Sequence, residues 1–267
     1  MKKIHLIFFI LLTALLLQSC SDDSVTNNNV TPPVSDNLTL LGSQYSSGMK
    51  ISLYSDTILF VGYNNLYIEV KDSASDAAVI DAHVEIMPMM DMTTMMHSCP
   101  YDNPSSTNAV NGKFPCDAVF IMPSTAGNWT LETNVHNHVT NAEGSVVFPL
   151  SVTEPMFSTL KSKTVNGSTY FISMIEPSKP IVGINDFMIK VNKRVTMMNF
   201  PNDSAYSFSM YPWMPSMGHS SPNNVNPVYS SEGTYNGDVN FTMTGDWRIT
   251  LKFIESPQDS VSFDLLF

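Results

Sequence analysis

Six methionines, Met87, Met89, Met90, Met92, Met95 and Met96, fall within ten residues and are followed at once by His97. The whole chain carries 18 methionines in 267 residues, so this cluster concentrates a general bias. A thioether is a soft, uncharged ligand that suits Cu(I) or Ag(I) better than Zn2+ or Ca2+. An imidazole adds a stronger donor whose neutral form persists near pH 7. Met92, Met95 and His97, spaced three and two apart, could converge on one ion if the loop folds back on itself. Three neutral ligands suit a monovalent ion, since no thiolate charge is needed. The same Met-x-x-Met-x-His order returns as Met214, Met217 and His219. The competing account of both loops is packing, because methionine fills irregular apolar gaps and makes adaptable contact surfaces for protein partners. On that account Met89, Met90 and Met96 pack or serve as spare ligands, while Asp91 adds a harder donor to the first loop alone.

Little else in the chain offers chemistry. There is no His-Glu-x-x-His, no Gly-x-Ser-x-Gly, no phosphate-cradling glycine loop and no dinucleotide fingerprint. No two carboxylates are paired by spacing, and the chain reads as non-catalytic. His136 and His138 lie on the outward side of the Trp129, Leu131, Thr133, Val135 stripe, where two histidines at period two could bind a divalent ion. Solvated strand-edge residues are the plainer account of them. His83 offers nothing to argue from. Acidic residues outnumber basic ones 24 to 13, for a formal net charge of −11. Nucleic acid is excluded as a partner by this balance, because phosphate binding needs clustered Lys and Arg. Peripheral attachment to anionic lipid by charge is equally disfavoured.

The first twenty residues read as an address. Lys2 and Lys3 precede an apolar run from Ile4 to Leu17, too short to span a bilayer comfortably, and Gln18, Ser19 and Cys20 follow. Leu17-Gln18-Ser19-Cys20 resembles the bacterial lipoprotein box, which implies a signal peptide over 1–19 and a lipidated Cys20 that anchors the chain in a membrane. Residues 20–40 are polar and acidic and read as a flexible tether. Ser21-Asp22-Asp23 resembles the surface-export tags of Bacteroidota lipoproteins. The expected location is the bacterial cell envelope, at the outer membrane, on its periplasmic or surface side.

The rest is one module written twice. Val61-Gly62-Tyr63-Asn64-Asn65-Leu66-Tyr67-Ile68-Glu69-Val70 returns as Val182-Gly183-Ile184-Asn185-Asp186-Phe187-Met188-Ile189-Lys190-Val191. The Met/His loops follow collinearly, with Met92 aligned to Met214. Gly112, Phe114, Asp117, Phe120 and Met122 then match Gly233, Tyr235, Asp238, Phe241 and Met243, and Gly127 and Trp129 match Gly245 and Trp247. Copy 1 is placed at 41–155 and copy 2 at 165–267, with Ser158 to Lys163 and Asn166-Gly167 marking a polar junction. Leu66, Ile68 and Val70, or Trp247, Ile249, Leu251 and Phe253, alternate with polar neighbours, which is the period of a half-buried strand. No stretch after residue 20 sustains a helical period. Each copy is therefore expected to be an antiparallel immunoglobulin-like β-sandwich, with Trp129 and Trp247 as core anchors.

Aligning the copies also sets Ser221 against Cys99 and Gly237 against Cys116. Joint presence in one copy and joint absence in the other is what a bonded pair would give, so a Cys99–Cys116 disulfide is expected in an exported, oxidising compartment. The competing account makes both thiolates soft-metal ligands beside His97.

A strand ending in Met and Pro, a Met-x-x-Met-x-His loop, and a later Gly-x-aromatic, Phe-x-Met and Gly-x-Trp stretch together resemble the YtkA-like domain, of the broader FixH-like group. Met214-Pro215-Ser216-Met217-Gly218-His219 and Gly233-Thr234-Tyr235 through Trp247 carry the resemblance best. It implies an immunoglobulin-like fold on the outer side of a membrane, in both copies. The first copy departs in having Met96 where the pattern has glycine. Two functions stay open: a lipid-anchored soft-metal binder or copper-handling accessory that takes Cu(I), and a structural or adhesion module that turns a Met-rich surface to a protein partner.

Overall fold

The computed structural model describes residues 37–267. The expected signal peptide, Cys20 and the expected tether up to residue 36 lie outside the described residues. The first half forms β1 (Thr39–Ser46), β2 (Met49–Ser55), β3 (Gly62–Asp72), β4 (Ala82–Asp91), β5 (Met96–His97), β6 (Tyr101–Asp102), β7 (Phe114–Phe120), β8 (Asn128–Asn137) and β9 (Glu143–Leu150). The second half forms β10 (Leu160–Val165), β11 (Ser168–Glu176), β12 (Gly183–Arg194), β13 (Phe208–Met214), β14 (His219–Ser220), β15 (Val225–Ser231), β16 (Thr234–Phe241), β17 (Asp246–Phe253) and β18 (Ser260–Leu266).

These strands pair antiparallel into four sheets. A five-stranded sheet β1-β2-β3-β7-β6 faces a four-stranded sheet β5-β4-β8-β9, and β10-β11-β12-β16-β15 faces β14-β13-β17-β18 in the same order. Each half is thus an immunoglobulin-like sandwich. Alternation drives the architecture: Ile51, Leu53, Leu66, Ile68 and Phe114 from one sheet meet Val84, Ile86, Trp129, Leu131 and Phe148 from the other in a single buried cluster. Phe187, Ile189, Tyr235 and Phe241 meet Phe208, Trp247, Ile249, Leu251 and Phe263 likewise.

The repeated Val-Gly-x-Asn has a structural cause. Asn64 donates to the Phe60 and Gly62 carbonyls at 2.8 Å each and accepts from the Phe60 amide at 3.1 Å. Asn185 makes the same three bonds to Ile181 and Gly183. One amide side chain thereby replaces the ladder bonds missing where the chain enters the central strand, at a glycine with positive φ in each case.

The observed boundaries shift outward. β1 starts at Thr39, inside the stretch expected to be tether. β10 starts at Leu160, where a junction was expected, so the second sandwich begins before residue 165. Asn166-Gly167, with φ of 49° and 78°, is the two-residue turn of the β10–β11 hairpin, just as Ser47-Gly48 turns β1 into β2.

The sandwiches meet through a buried charge cluster. Lys190 on β12, 3% exposed, binds Asp102 on β6 and both carboxylate oxygens of Asp117 on β7, the latter at 2.8–2.9 Å. Asn202 adds two bonds to Asp102, and Lys190 also lies over the Tyr63 ring. Burial pushes Asp117 up to about 6; Lys190 opposes that rise and Asp102 adds to it. Burial alone would lower Lys190, but Asp117 and Asp102 outweigh it and hold the ammonium above its ordinary value.

Candidate functional site

Each Met/His loop is a four-residue reversal at the edge of a four-stranded sheet. β5 returns against β4 with Asp91 opposite Met96 and Met90 opposite His97. β14 returns against β13 with Met214 opposite His219. The turns are Met92 to Met95 and Pro215 to Gly218, closed by Met92 N to Met95 O at 3.0 Å and by Gly218 N to Met214 O at 2.9 Å. The methionine facing the histidine is therefore Met90 in the first loop and Met214 in the second. This corrects the sequence alignment, which equated Met92 with Met214. A side chain on Gly127 would press on the Met90 methyl and the Met92 Cγ alike, at 3.2 Å each, and one on Gly245 on the Met214 methyl. Each methyl thus rests on the glycine two residues ahead of the core tryptophan. Strand register decides the equivalence, and in a run so rich in methionine the spacing alone left it undetermined.

The histidines are held alike. His97 is 1% exposed, and its Nδ1 donates to the Ser98 carbonyl at 2.8 Å. A carbonyl accepts only, so Nδ1 carries the hydrogen and Nε2 the lone pair. That Nε2 is buried with no hydrogen-bond partner. His219 repeats the bond, Nδ1 to Ser220 O at 3.0 Å, with a half-buried ring. Each ring meets the core indole at an edge: His97 on Trp129 at 5.5 Å and 88°, His219 on Trp247 at 5.7 Å and 81°. The indole nitrogens donate to Met122 O and Met243 O.

The methionines of the expected triplets are not equivalent in exposure. Met214 is 4% exposed and Met92 half-buried, whereas Met95 and Met217 are exposed, Met217 at 61%. Asp246 fixes the second turn through the Ser216 hydroxyl and amide, and the hydroxyl holds its carboxyl below the usual range. Sequence reasoning missed Met197: Ser98 N donates to Met197 O at 2.9 Å, which brings a methionine segment of the second sandwich to the residue after His97. Met197-Met198 stands outside the repeated motifs, and only the docking of the two sandwiches reveals its place.

Cys99 and Cys116 do not form the expected disulfide; both are free and buried. Tyr101 faces Ala118 and Asp102 faces Asp117, so Cys99 stands four positions along from the place opposite Cys116. At ~3.3 Å per residue that is about 13 Å, well beyond the roughly 7 Å between Cα atoms that a disulfide can bridge. Burial, then the Asp117 charge, pushes both thiols well up, which makes them poor thiolates. Cys116 instead donates to Leu66 O at 3.5 Å. Among the described residues, no three His, Cys, Asp or Glu side chains are grouped so as to hold an ion.

Paired immunoglobulin-like sandwiches, each closing one sheet edge with a His-Met hairpin against a core indole, define the class of protein. Within it, residues 164–252 match the family model described as YtkA-like. Among solved structures, a chimeric titin Z1Z2 functionalized with a KLER peptide from decorin is similar at 7% identity and TM-score 0.23, covering 84% of this chain and 98% of that one. A tandem pair of titin Ig domains is similar at 11% identity and TM-score 0.22, with 84% and 97% covered. No curated protein matches the chain.

Proposed function

We propose that the chain is a lipid-anchored extracytoplasmic binding protein whose Met/His loops take a soft monovalent ion, Cu(I). The observation that supports this most directly is the His97 Nε2 lone pair, buried without a partner in the hairpin that carries Met90, Met92, Met95 and Met96. A buried polar atom normally finds a partner, and an orphan of this kind asks for one. A soft ion fits the donor set, since imidazole nitrogen and thioether sulfur are its preferred neutral ligands. His97 with Met90 and Met92, and His219 with Met214 and Met217, are the ligand sets of this reading, with Met95 on the exposed turn able to fold over the first. Anchoring rests on the Leu-Gln-Ser-Cys box and Cys20; in that reading Cys20→Ser abolishes labelling by a fatty-acid probe.

The test is Cu(I) titration of the chain lacking residues 1–20 in competition with a chromogenic chelator. Up to two equivalents are expected, and one is lost on replacing Met214, Met217 and His219 together. No uptake against the chelator overturns the metal reading. The exposure of Met95, Met96 and Met217 would then favour the second account, an adhesion or structural module that offers a Met-rich surface to a protein partner.

A further inference from the structure

Three of the histidines lie on one outward face of the first sandwich, although their side chains do not already converge on a common point. The register sets His83 on β4 directly opposite His136 on β8, and His136 opposite Glu143 on β9. The row His83, His136, Glu143 thus crosses three neighbouring strands on the face turned from the core. Opposed side chains on such a row have Cβ atoms ~4.5–5.5 Å apart, within reach of one ligand. His138 follows β8, and its ring centre lies 5.3 Å from that of His136, with the planes at 81°. Two imidazoles on one tetrahedral ion, with metal–nitrogen bonds of ~2.0–2.1 Å, hold their ring centres roughly 5 Å apart. The pair already has that spacing.

Each ring is held by one nitrogen and keeps the other. His138 Nδ1 pairs with Asp81 Oδ1 at 2.7 Å, His136 Nε2 with Asn141 Oδ1 at 3.0 Å, and His83 Nε2 with Glu85 Oε1 at 3.1 Å. A carboxylate behind one nitrogen of an imidazole is the usual support for a ligand that coordinates through the other. The loop is braced as well: Asn137 Oδ1 accepts from the Val139 and Thr140 amides, and His138 N donates to Asp81 O at 3.2 Å. A cavity of about 340 Å3 opens over the row, lined in part by His83, Glu85, His136 and Glu143, with His138 outside its lining. The scaffold does not demand these residues, because the second sandwich has Ser207, Ile254 and Gln258 at the corresponding places in its register.

We propose that His136 and His138, joined by His83, form a binding site for a divalent transition ion of the Zn2+ type on the outer face of the first sandwich. The His83 ring moves over to complete the set, with Glu143 available as a fourth ligand. Imidazole and carboxylate donors suit a borderline divalent ion. This site is separate from the Met/His loops and stands or falls independently of them.

The test is Zn2+ uptake by metal-free full-length protein, followed by calorimetry. One equivalent is expected, abolished in His136→Ala/His138→Ala and retained when Met214, Met217 and His219 are replaced. Asp81→Asn, which leaves all three ligands in place, is expected to weaken binding about tenfold by releasing the His138 ring. Should the double variant fail to fold, the native protein answers through its imidazole NMR signals, of which those of His83, His136 and His138 shift with Zn2+ while His97 and His219 do not. Absence of uptake, uptake unchanged in the double variant, or shifts confined to His97 or His219 would each overturn the proposal.

Discussion

In the first sandwich the loop histidine is buried and its Nε2 unpartnered, two thiols lie in the core, and three further histidines crowd an outer face. In the second sandwich the loop histidine is half-buried, the cysteine positions hold Ser221 and Gly237, and the outer face has no histidine. Strand order, the asparagine at the entrance of the central strand, the methionine resting on a glycine and the indole beneath the histidine are common to both. What the two share is what closes a sandwich: bonds for an interrupted ladder and a filled core. What differs lies in part at surfaces and edges, where substitution costs little, and in part at small buried positions such as Cys99 and Cys116.

Four experiments would break or sharpen that comparison. Trp129→Ala and Trp247→Ala each empty the centre of a core, and each is expected to destabilise by about 3–5 kcal/mol in denaturant unfolding. A severe loss in one and not the other would show that the two cores are not equivalent. Lys190→Ala strands two carboxylates in the buried junction, at a cost of up to about 3–5 kcal/mol. Hydrogen exchange should place that loss at the junction, with protection inside each sandwich largely kept.

Asn64→Ala and Asn185→Ala each remove three bonds at a strand entrance and are expected to cost about 1–3 kcal/mol apiece. Unequal values would show that one entrance is braced by other means. The smallest effect is a pH dependence. Asp117 rises to about 6 when folded, above its ordinary value of 3.8, so between those limits the folded chain holds a proton that the unfolded chain has shed. Its contribution to stability therefore grows as pH falls through 6. The stability gap between the native chain and Asp117→Asn, measured by unfolding at pH 7 and pH 5, should move in favour of the native chain at pH 5; a flat gap would remove Asp117 as a titrating member of the junction.

Much of the fold was legible because period-two alternation reports which face is buried, and an internal repeat reports it twice. Leu160–Val165 escaped notice because it is a sheet-edge strand, LKSKTV, with only its first and last residues apolar. Lys190 was legible as an outward residue of an alternating strand, but periodicity names a face without naming what covers it. The cysteines misled for a related reason: joint loss between copies suggested a bond, while register along β6 and β7 keeps the two sulfurs apart. The loop histidines were found by type and spacing. Met214 was found with His219, but the methionine facing His97 was not, because only the pairing of β4 with β5 selects Met90 over Met92. His83 carried no signal at all, since its place beside His136 is a long-range pairing of strands.

One main-chain bond has a use beyond holding the halves together. The Ser98 amide donates to Met197 O at 2.9 Å, across the boundary between the sandwiches. Most strand amides trade their protons with solvent when their own sheet frays, but this one is freed only when the halves part or the Met197 segment lifts. Its exchange rate is therefore a built-in gauge of separation between the two bodies, readable at a single position. Because that position adjoins His97, the same signal registers whatever settles on the imidazole, and one resonance reports both the loop and the seam.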